Sequence, residues 1–457
     1  MRAVASPPAE SESDTNLSPA RREWAERNLD AAAKALLAED ARYFLHQSVS
    51  TPCLNAIVKA EGIWIEDTAG RRYMDFHGNN VHHIGYGHPR LKRAIAEQMD
   101  ALPFTPRRYA SEPAVALARK LAEIAPGGLG KVLFTTGGSD AVEVAVKLAR
   151  ASTGRYKTLS FWDAFHGAGF GAAAVGGEAL FRASAHGPLM PGAEHVAPFG
   201  SYRCPYGTAT AEESGEACAR MIEYVLAREG DFAAFVAEPI RAVPYVPPPG
   251  FWRRVRAACD RHGTLLVFDE IPTGLGKSGR MFACEHDDVV PDILVLGKAL
   301  GGGIMPIAAV IARADLDVAG DLALGHYTHE KNPVAARAAL ETLAIIEDEA
   351  LCENAARVGA RALARLEEMR ARHPMIGDVR GLGLVIGIEL VRDRDTKEPA
   401  VEAAEAAVYA ALERGLSFKT TMGNVLTLTP PLIITEEQMD QALSILESSL
   451  VKASCAR

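Results

Sequence analysis

One alternation constrains the fold more than anything else in this chain. From residue 131 onward, short apolar runs take turns with longer amphipathic stretches: KVLFTTGG then SDAVEVAVKLARAST, FAAFVAEPI then GFWRRVRAACDRHG, followed by TLLVFDEI and DILVLGKAL. Such a run reads as a strand buried on both faces, and such a stretch as the helix that crosses back over it. Repeated in turn, they give an α/β fold with a doubly wound, mostly parallel sheet. We assign this large domain to residues 76–332.

After Asn332 and Pro333 the pattern changes to one long helix reaching about His373, then to the strand-like IGDVRGLGLVIGIELV, then to a closing helix from about Glu436. Residues 333–457 are therefore expected to form a smaller α+β domain. Residues 19–75 are expected to pack with it, as a surface helix over about 19–45 and a β-hairpin on either side of DTAGRR. The first 18 residues, rich in Ser, Pro and Glu, read as a mobile arm.

A chain of 457 residues is long enough for two lobes and a large buried site. Its formal charge of −9, with both signs scattered, leaves no electrostatic footprint for nucleic acid or an anionic membrane, so a small molecule is the expected partner. Seven cysteines without any CxxC argue against a disulfide framework or a thiolate metal site, and fit a reducing cytoplasm. The only candidate membrane span, residues 292–312 (DILVLGKALGGGIMPIAAVIA), is interrupted by Lys298, by glycines and by Pro306, which a bilayer helix tolerates poorly.

Lys298 is the single charge in that run after Asp292. Burying an ammonium costs several kcal/mol unless it is compensated, so its presence needs a reason. A desolvated lysine has a lowered pKa and becomes a nucleophile able to form a Schiff base; the alternative, a snorkelling structural lysine, has little apolar surface to lie along among glycines. Two other strand ends carry related chemistry. FTTGGSD places Gly137, Gly138 and Ser139 where free N–H groups at a helix start can hold a phosphate, or where they merely make a turn. LLVFDE ends in Asp269 and Glu270, either of which could instead cap a helix or join a salt bridge. Taken together, a phosphate cup, an acid and a lysine are the parts that a pyridoxal phosphate site needs.

At this point the sequence resembles the class III aminotransferases, fold-type I pyridoxal phosphate enzymes related to ornithine and 4-aminobutyrate aminotransferases. The resemblance runs from about Thr51 to Glu447 and rests on AEPI, FDEIPTGLGKSG, GKALGGG and KNP in that order. It implies pyridoxal 5'-phosphate as cofactor, Lys298 as the Schiff-base lysine, Asp269 at the pyridine nitrogen and Ile271 against one ring face. It further implies Phe165 on the other face with His166 beside it, Gly138 and Ser139 at the phosphate, and Glu238 in the active site. Thr328 matches a threonine that reaches the phosphate of a neighbouring subunit, which implies a homodimer with shared sites.

Three departures bear on the substrate. Pro272 stands where the family usually has a glutamine that bonds the cofactor's phenolic oxygen, and the phosphate cup reads Thr136 to Asp140 in place of the usual Asn-Ser-Gly-Ser-Glu. Between Phe418 and Leu432 no arginine is present to hold a keto-acid carboxylate; Lys419 is the only cation, with Thr420 and Thr427 nearby. Arg107 and Arg108 in FTPRRY, and Asn80 with its neighbours in FHGNNVHH, are candidate substrate contacts, since a guanidinium fork suits phosphonate as well as carboxylate. The histidines there lack metal-ligand spacing. The blocks DFHGNNVHHIGYGHP, TPRRY and DEIPTGLGKSG are similar to a branch of the family that acts as an ammonia-lyase on 1-hydroxy-2-aminoethylphosphonate. Transamination of a primary amine is thus one expected activity and elimination from a β-hydroxy amine the alternative. A non-catalytic protein that kept the fold would not need both Lys298 and Asp269.

Overall fold

The computed structural model describes residues 18–47, 50–200 and 202–454. The expected arm lies outside the described residues except for Ser18, whose hydroxyl accepts the Arg21 N–H at 3.0 Å and caps the helix Pro19–Asn28. The chain divides into two compact units, one built from residues 80–83 and 89–353, the other from the described parts of 18–79, 84–88 and 354–454.

The larger unit holds a seven-stranded sheet in the order Lys131–Thr135, Ala308–Ala312, Ile293–Leu296, Leu265–Asp269, Phe232–Ala237, Lys157–Phe161, Ala193–Val196. The pairs from Ile293–Leu296 through to Ala193–Val196 are all parallel. Ala308–Ala312 is antiparallel to both of its neighbours, so the sheet is mixed. This strand closes the apolar run that held the candidate membrane span, and every one of its residues is buried. Among the described residues, no helix is long and apolar enough to cross a membrane.

The helices behave as the pattern requires. Ala211–Glu229 starts on a capping box made by Thr210 and Glu213, and Phe251–His262 ends on left-handed Gly263. Val142, Ala145 and Ala149 on Gly138–Thr153 pack into one core with Val236, Val267, Val295 and Val310 from the sheet.

The long helix expected after Pro333 is two, Pro333–Asp348 and Leu351–Arg372, broken where Ala350 takes a left-handed φ of 50°. The first of them stays with the larger unit, so the division expected after residue 332 is found after 353. The reason is packing: Pro333–Asp348 buries an alanine-rich face against the helices Pro89–Ala101 and Glu112–Ile124 and against the turn that carries Lys298.

The smaller unit contains two four-stranded sheets. In one, the antiparallel strands Ile57–Glu61, Trp64–Asp67 and Arg72–Asp75 are joined by the short strand Leu416–Ser417, which pairs in parallel with the last. In the other, Ile376–Leu382, Val385–Leu390, Val425–Leu428 and Lys419–Thr421 run antiparallel. The helix expected over 19–45 is interrupted: Asp30 accepts the Ala33 N–H at 2.7 Å and starts a second helix, Ala31–Tyr43, after an extended Leu29.

Candidate active site

Two strands of the larger unit, Lys131–Thr135 and Ile293–Leu296, end in loops that line one cavity of about 350 Å³, and the loop after a third, Leu265–Asp269, packs against both through Ile271. This is the carboxyl edge of the sheet, where open α/β sheets place their ligands.

The first loop follows Lys131–Thr135. Gly137 is the N-cap of the helix Gly138–Thr153 and has no side chain to satisfy the helix's first N–H groups, so these and the helix dipole face the cavity that Thr136, Gly137 and Gly138 line. A Cβ on Gly138 would stand 2.8 Å from Ile271 Cδ1, so only glycine fits without displacing that side chain. Ser139 Oγ accepts the Ala168 N–H at 3.1 Å, tying the helix start to the loop that carries Phe165 and His166.

The second loop follows Leu265–Asp269. Asp269 is 2% exposed, and both of its oxygens are held: Oδ1 accepts the Ile271 N–H at 3.0 Å, and Oδ2 lies 2.8 Å from His166 Nδ1. His166 is itself buried, with Nε2 3.4 Å from Ser160 Oγ on the strand Lys157–Phe161. Glu270 turns away into the protein and accepts the N–H groups of Ala283 and Cys284; burial, working against those bonds, pushes its carboxyl up to about 7. Of the adjacent acids, Asp269 is tied to Ile271 and to the loop of His166, and Glu270 to Ala283 and Cys284.

The third loop follows Ile293–Leu296. Gly297 precedes Lys298, which takes a left-handed φ of 45° at the start of a tight turn and lines the cavity. A Cβ on Gly297 would meet Ile271 Cγ2 and Ala308 Cβ, both at 3.3 Å, so the lysine backbone sits directly beside Ile271. Val81 and the segment Gly303–Ile307 close the cavity. The sequence reading missed that last wall; its signal was an apolar run continuing past the glycine triplet.

The structure brings Lys298, Gly138, Ser139, Ile271, Asp269 and His166 into one set of touching loops. Phe165 is half-buried on the same loop as His166, its ring 4.6 Å from that of Phe181. Glu238 is buried and accepts the Ala242 N–H at 3.4 Å. Thr328 is exposed and does not line the cavity. Arg107 contacts the same loop as Thr328, with Nη2 2.6 Å from His326 Nδ1 and Nη1 3.7 Å from Glu330; Arg108 is exposed and stacks over Tyr109. Asn80 is 8% exposed, and its Oδ1 has no hydrogen-bond partner among the described residues. Lys419, Thr420 and Thr427 belong to the smaller unit, on the paired strands Lys419–Thr421 and Val425–Leu428. No cluster of His, Cys, Asp or Glu among the described residues could hold a metal ion.

A family model described as aminotransferase class-III matches residues 46–450. The chain is 45% identical over 456 residues to the (R)-1-hydroxy-2-aminoethylphosphonate ammonia-lyase of Vibrio splendidus, covering 97% of this chain and 95% of that protein. It is 39% identical to the leucine/methionine racemase of Thermococcus litoralis, covering 86% of this chain and 90% of that one. Among solved structures, an omega transaminase from Pseudomonas jessenii in complex with PMP superposes with a TM-score of 0.87 at 30% identity, covering 92% of this chain and 98% of that one.

Proposed function

Because the chain belongs to the class III aminotransferase family, we propose that it works as a pyridoxal-phosphate-dependent ammonia-lyase on a β-hydroxylated aminoalkylphosphonate, 1-hydroxy-2-aminoethylphosphonate being the first to test. The observation that carries this reading is the likeness, along almost the whole chain, to a relative of that activity. The missing arginine between Phe418 and Leu432 supports it, since a keto-acid half-reaction has no evident carboxylate clamp there. Transamination of a primary amine is the second reading, favoured by the likeness to an omega transaminase.

The residues fit the cofactor. Gly138 leaves room that a Cβ would fill, and the helix start behind it offers N–H groups for the phosphate, with Ser139 beside it. Asp269 would hold the proton on the ring nitrogen, Ile271 and Phe165 would cover the two ring faces, and Lys298 would bond the aldehyde. When bound, pyridoxal phosphate supplies an aldehyde for the substrate amine and a ring that withdraws electrons from the neighbouring carbon. Lys298, freed by the incoming amine, removes the proton from the carbon that bears nitrogen, and its ammonium then gives a proton to the departing β-hydroxyl. The water lost in that step is matched by the water that hydrolyses the released enamine, so one substrate yields one aldehyde and one ammonia.

A homodimer in a reducing cytoplasm completes the proposal. Thr328 is exposed and does not line the cavity of its own chain, as expected if it serves the phosphate bound in a second subunit. Arg107 bonds the same loop, so it would travel with Thr328, together with Arg108, to the site that Thr328 serves, there to meet the phosphonate. Asn80, with its unpaired buried oxygen, is the candidate for the substrate's hydroxyl or ammonium.

The test is to give the cofactor-loaded enzyme 1-hydroxy-2-aminoethylphosphonate without any keto acid, following ammonia and the cofactor's visible band. Ammonia over many turnovers with the band intact supports the lyase. Bleaching after one equivalent, reversed by a keto acid, would instead establish the transaminase.

A further inference from the structure

We propose that Arg241 is a positioning residue for the reaction: its buried guanidinium acts through the Asp163 carbonyl to fix the turn that sets Phe165 and His166 beside the cofactor; this rests on the cofactor reading above. Arg241 follows the strand Phe232–Ala237 and is 1% exposed, one of the largest fully buried side chains among the described residues. Its Nη2 donates to the Asp163 carbonyl oxygen at 2.6 Å, and its guanidinium carbon lies 5.3 Å from the centre of the Tyr245 ring. Its Nε is buried without a partner among the described residues. A buried cation is costly unless an anion answers it. Arg256 has Asp260 and Asp292, and Arg380 has Asp378 and Glu389, but no acid among the described residues pairs with Arg241.

What the guanidinium holds instead is backbone under strain. Asp163 has a φ of 61°, in the left-handed region that a residue with a Cβ enters only at a cost. The next carbonyl, that of Ala164, accepts the N–H groups of Gly177 at 2.8 Å and Glu178 at 3.2 Å. Gly177 comes this close because it has no side chain; a Cβ there would overlap the backbone of Phe161, Trp162 and Asp163. Two adjacent carbonyls are thus clamped by two separate segments, and the side chains that come next are Phe165 and His166. His166 carries the constraint on to Asp269, whose Oδ2 lies 2.8 Å from Nδ1.

Arg241 is suited to this task because its own backbone is fixed. Its N–H donates to the Tyr245 carbonyl oxygen at 3.0 Å and its carbonyl oxygen accepts the Tyr245 N–H at 3.4 Å, closing a small antiparallel bridge. The strands Phe232–Ala237 and Lys157–Phe161 pair in parallel, so the loops that follow them emerge side by side and the arginine reaches the second from the first. A hydrogen bond from a charged donor is about twice as strong as one from a neutral donor, which is what a strained carbonyl needs to stay in place. Arg241 does this without lining the cavity, so it acts on the reaction through the loop alone.

The experiment compares wild type with Arg241→Lys, Arg241→Met and Arg241→Gln, each loaded with pyridoxal phosphate and checked for folding by far-ultraviolet circular dichroism. Lysine keeps a charged donor, methionine keeps apolar bulk without one, and glutamine keeps a neutral donor on a shorter arm. Ammonia release from 1-hydroxy-2-aminoethylphosphonate at saturating cofactor is resolved into kcat and KM, and the visible circular dichroism of the bound cofactor, without substrate, reports how the ring is held. Misplacing a reacting group by about 1 Å costs on the order of a hundredfold, so methionine and glutamine should lower kcat about ten- to a hundredfold with KM within about threefold. Both should also weaken the visible dichroism per bound cofactor, and lysine should recover most of the rate and of the dichroism. In the double variant Arg241→Met, His166→Ala the losses should fall short of the product of the single losses, because both changes act on one turn. Methionine equal to lysine in rate and dichroism would overturn the proposal, as would losses that multiply, which would make Arg241 independent of His166. Should methionine not fold, glutamine takes its place in the same comparisons. A wild type that binds pyridoxal phosphate without a visible band would defeat the cofactor reading and this proposal with it; a wild type with the band, matched by its methionine variant, would defeat this proposal alone.

Discussion

His166 offers the sharpest quantitative test of the site. Asp269 is almost wholly buried, and its two oxygens have one donor each, the Ile271 N–H and His166 Nδ1. Replacing His166 with alanine removes the second protein donor and leaves Oδ2 buried with no partner but the ring N–H that the bound cofactor would bring. For a carboxylate that loss is worth roughly 2–3 kcal/mol, since hydrogen bonds to charged groups are stronger than neutral ones. The side chain can recover part of the loss only by rotating toward another donor, which takes it away from the pyridine nitrogen. If the whole of it appears in the transition state, kcat/KM for ammonia release falls about 30- to 150-fold at saturating cofactor. His166→Asn places an amide N–H near the position of Nδ1 and should restore most of the rate; His166→Gln places it near Nε2, toward Ser160, and should restore little. Steady-state ammonia release, with circular dichroism to confirm folding, decides the matter. An alanine variant within threefold of wild type, or equal rescue by glutamine and asparagine, would refute the reasoning.

Lys298→Ala should abolish turnover whether the enzyme eliminates or transaminates, measured as ammonia or keto product; retained activity would overturn the site assignment. Arg107→Ala with Arg108→Ala should raise KM for the phosphonate about tenfold or more while sparing simple amines, and an unchanged KM would remove the pair from substrate binding. Glu270 is raised from 4.5 to about 7 by burial, so its contribution to stability is complete below about pH 4.5 and is lost as pH rises toward 7. Thermal melts of wild type and Glu270→Gln should accordingly show wild type losing ground to the variant between pH 5 and pH 8; parallel curves would show that Glu270 ionises as freely folded as unfolded.

The chemistry of the site was legible because few residue types are tolerated where it lies. A lone lysine among glycines, an acid at the end of a buried strand and a Gly-Gly-Ser helix start are each costly without a use, and Lys298 and Gly138 do line one cavity, with Ile271, two residues after Asp269, packed against both of their loops. Strand direction was not legible. Ala308–Ala312 is as apolar as its parallel neighbours, and nothing in periodicity says that it runs against them. Both helix breaks were missed for a related reason: the 3.6-residue pattern continues past Asp30 and Ala350, while a single capping side chain or one positive φ decides the interruption. Contacts such as His166 with Asp269, 103 residues apart, and His83 with Gly274, 191 apart, are made by the tertiary fold and leave no mark on local sequence.

The parallel pairing of Arg72–Asp75 with Leu416–Ser417 has a consequence for how the protein is made. The ribosome delivers the first strand roughly 340 residues ahead of its partner, which at 5–20 residues per second is a delay on the order of 20–70 s. Through that interval the N-terminal hairpin shows an unpaired edge, and the lobe it belongs to cannot close. The larger unit, complete by residue 353 with its glycine cradle and lysine, can meanwhile collapse around its own core. Synthesis thus finishes the chemical centre before the lobe that holds both ends of the described chain, and a nascent chain stalled between about 353 and 416 would carry both a formed Lys298 cavity and an open sheet edge.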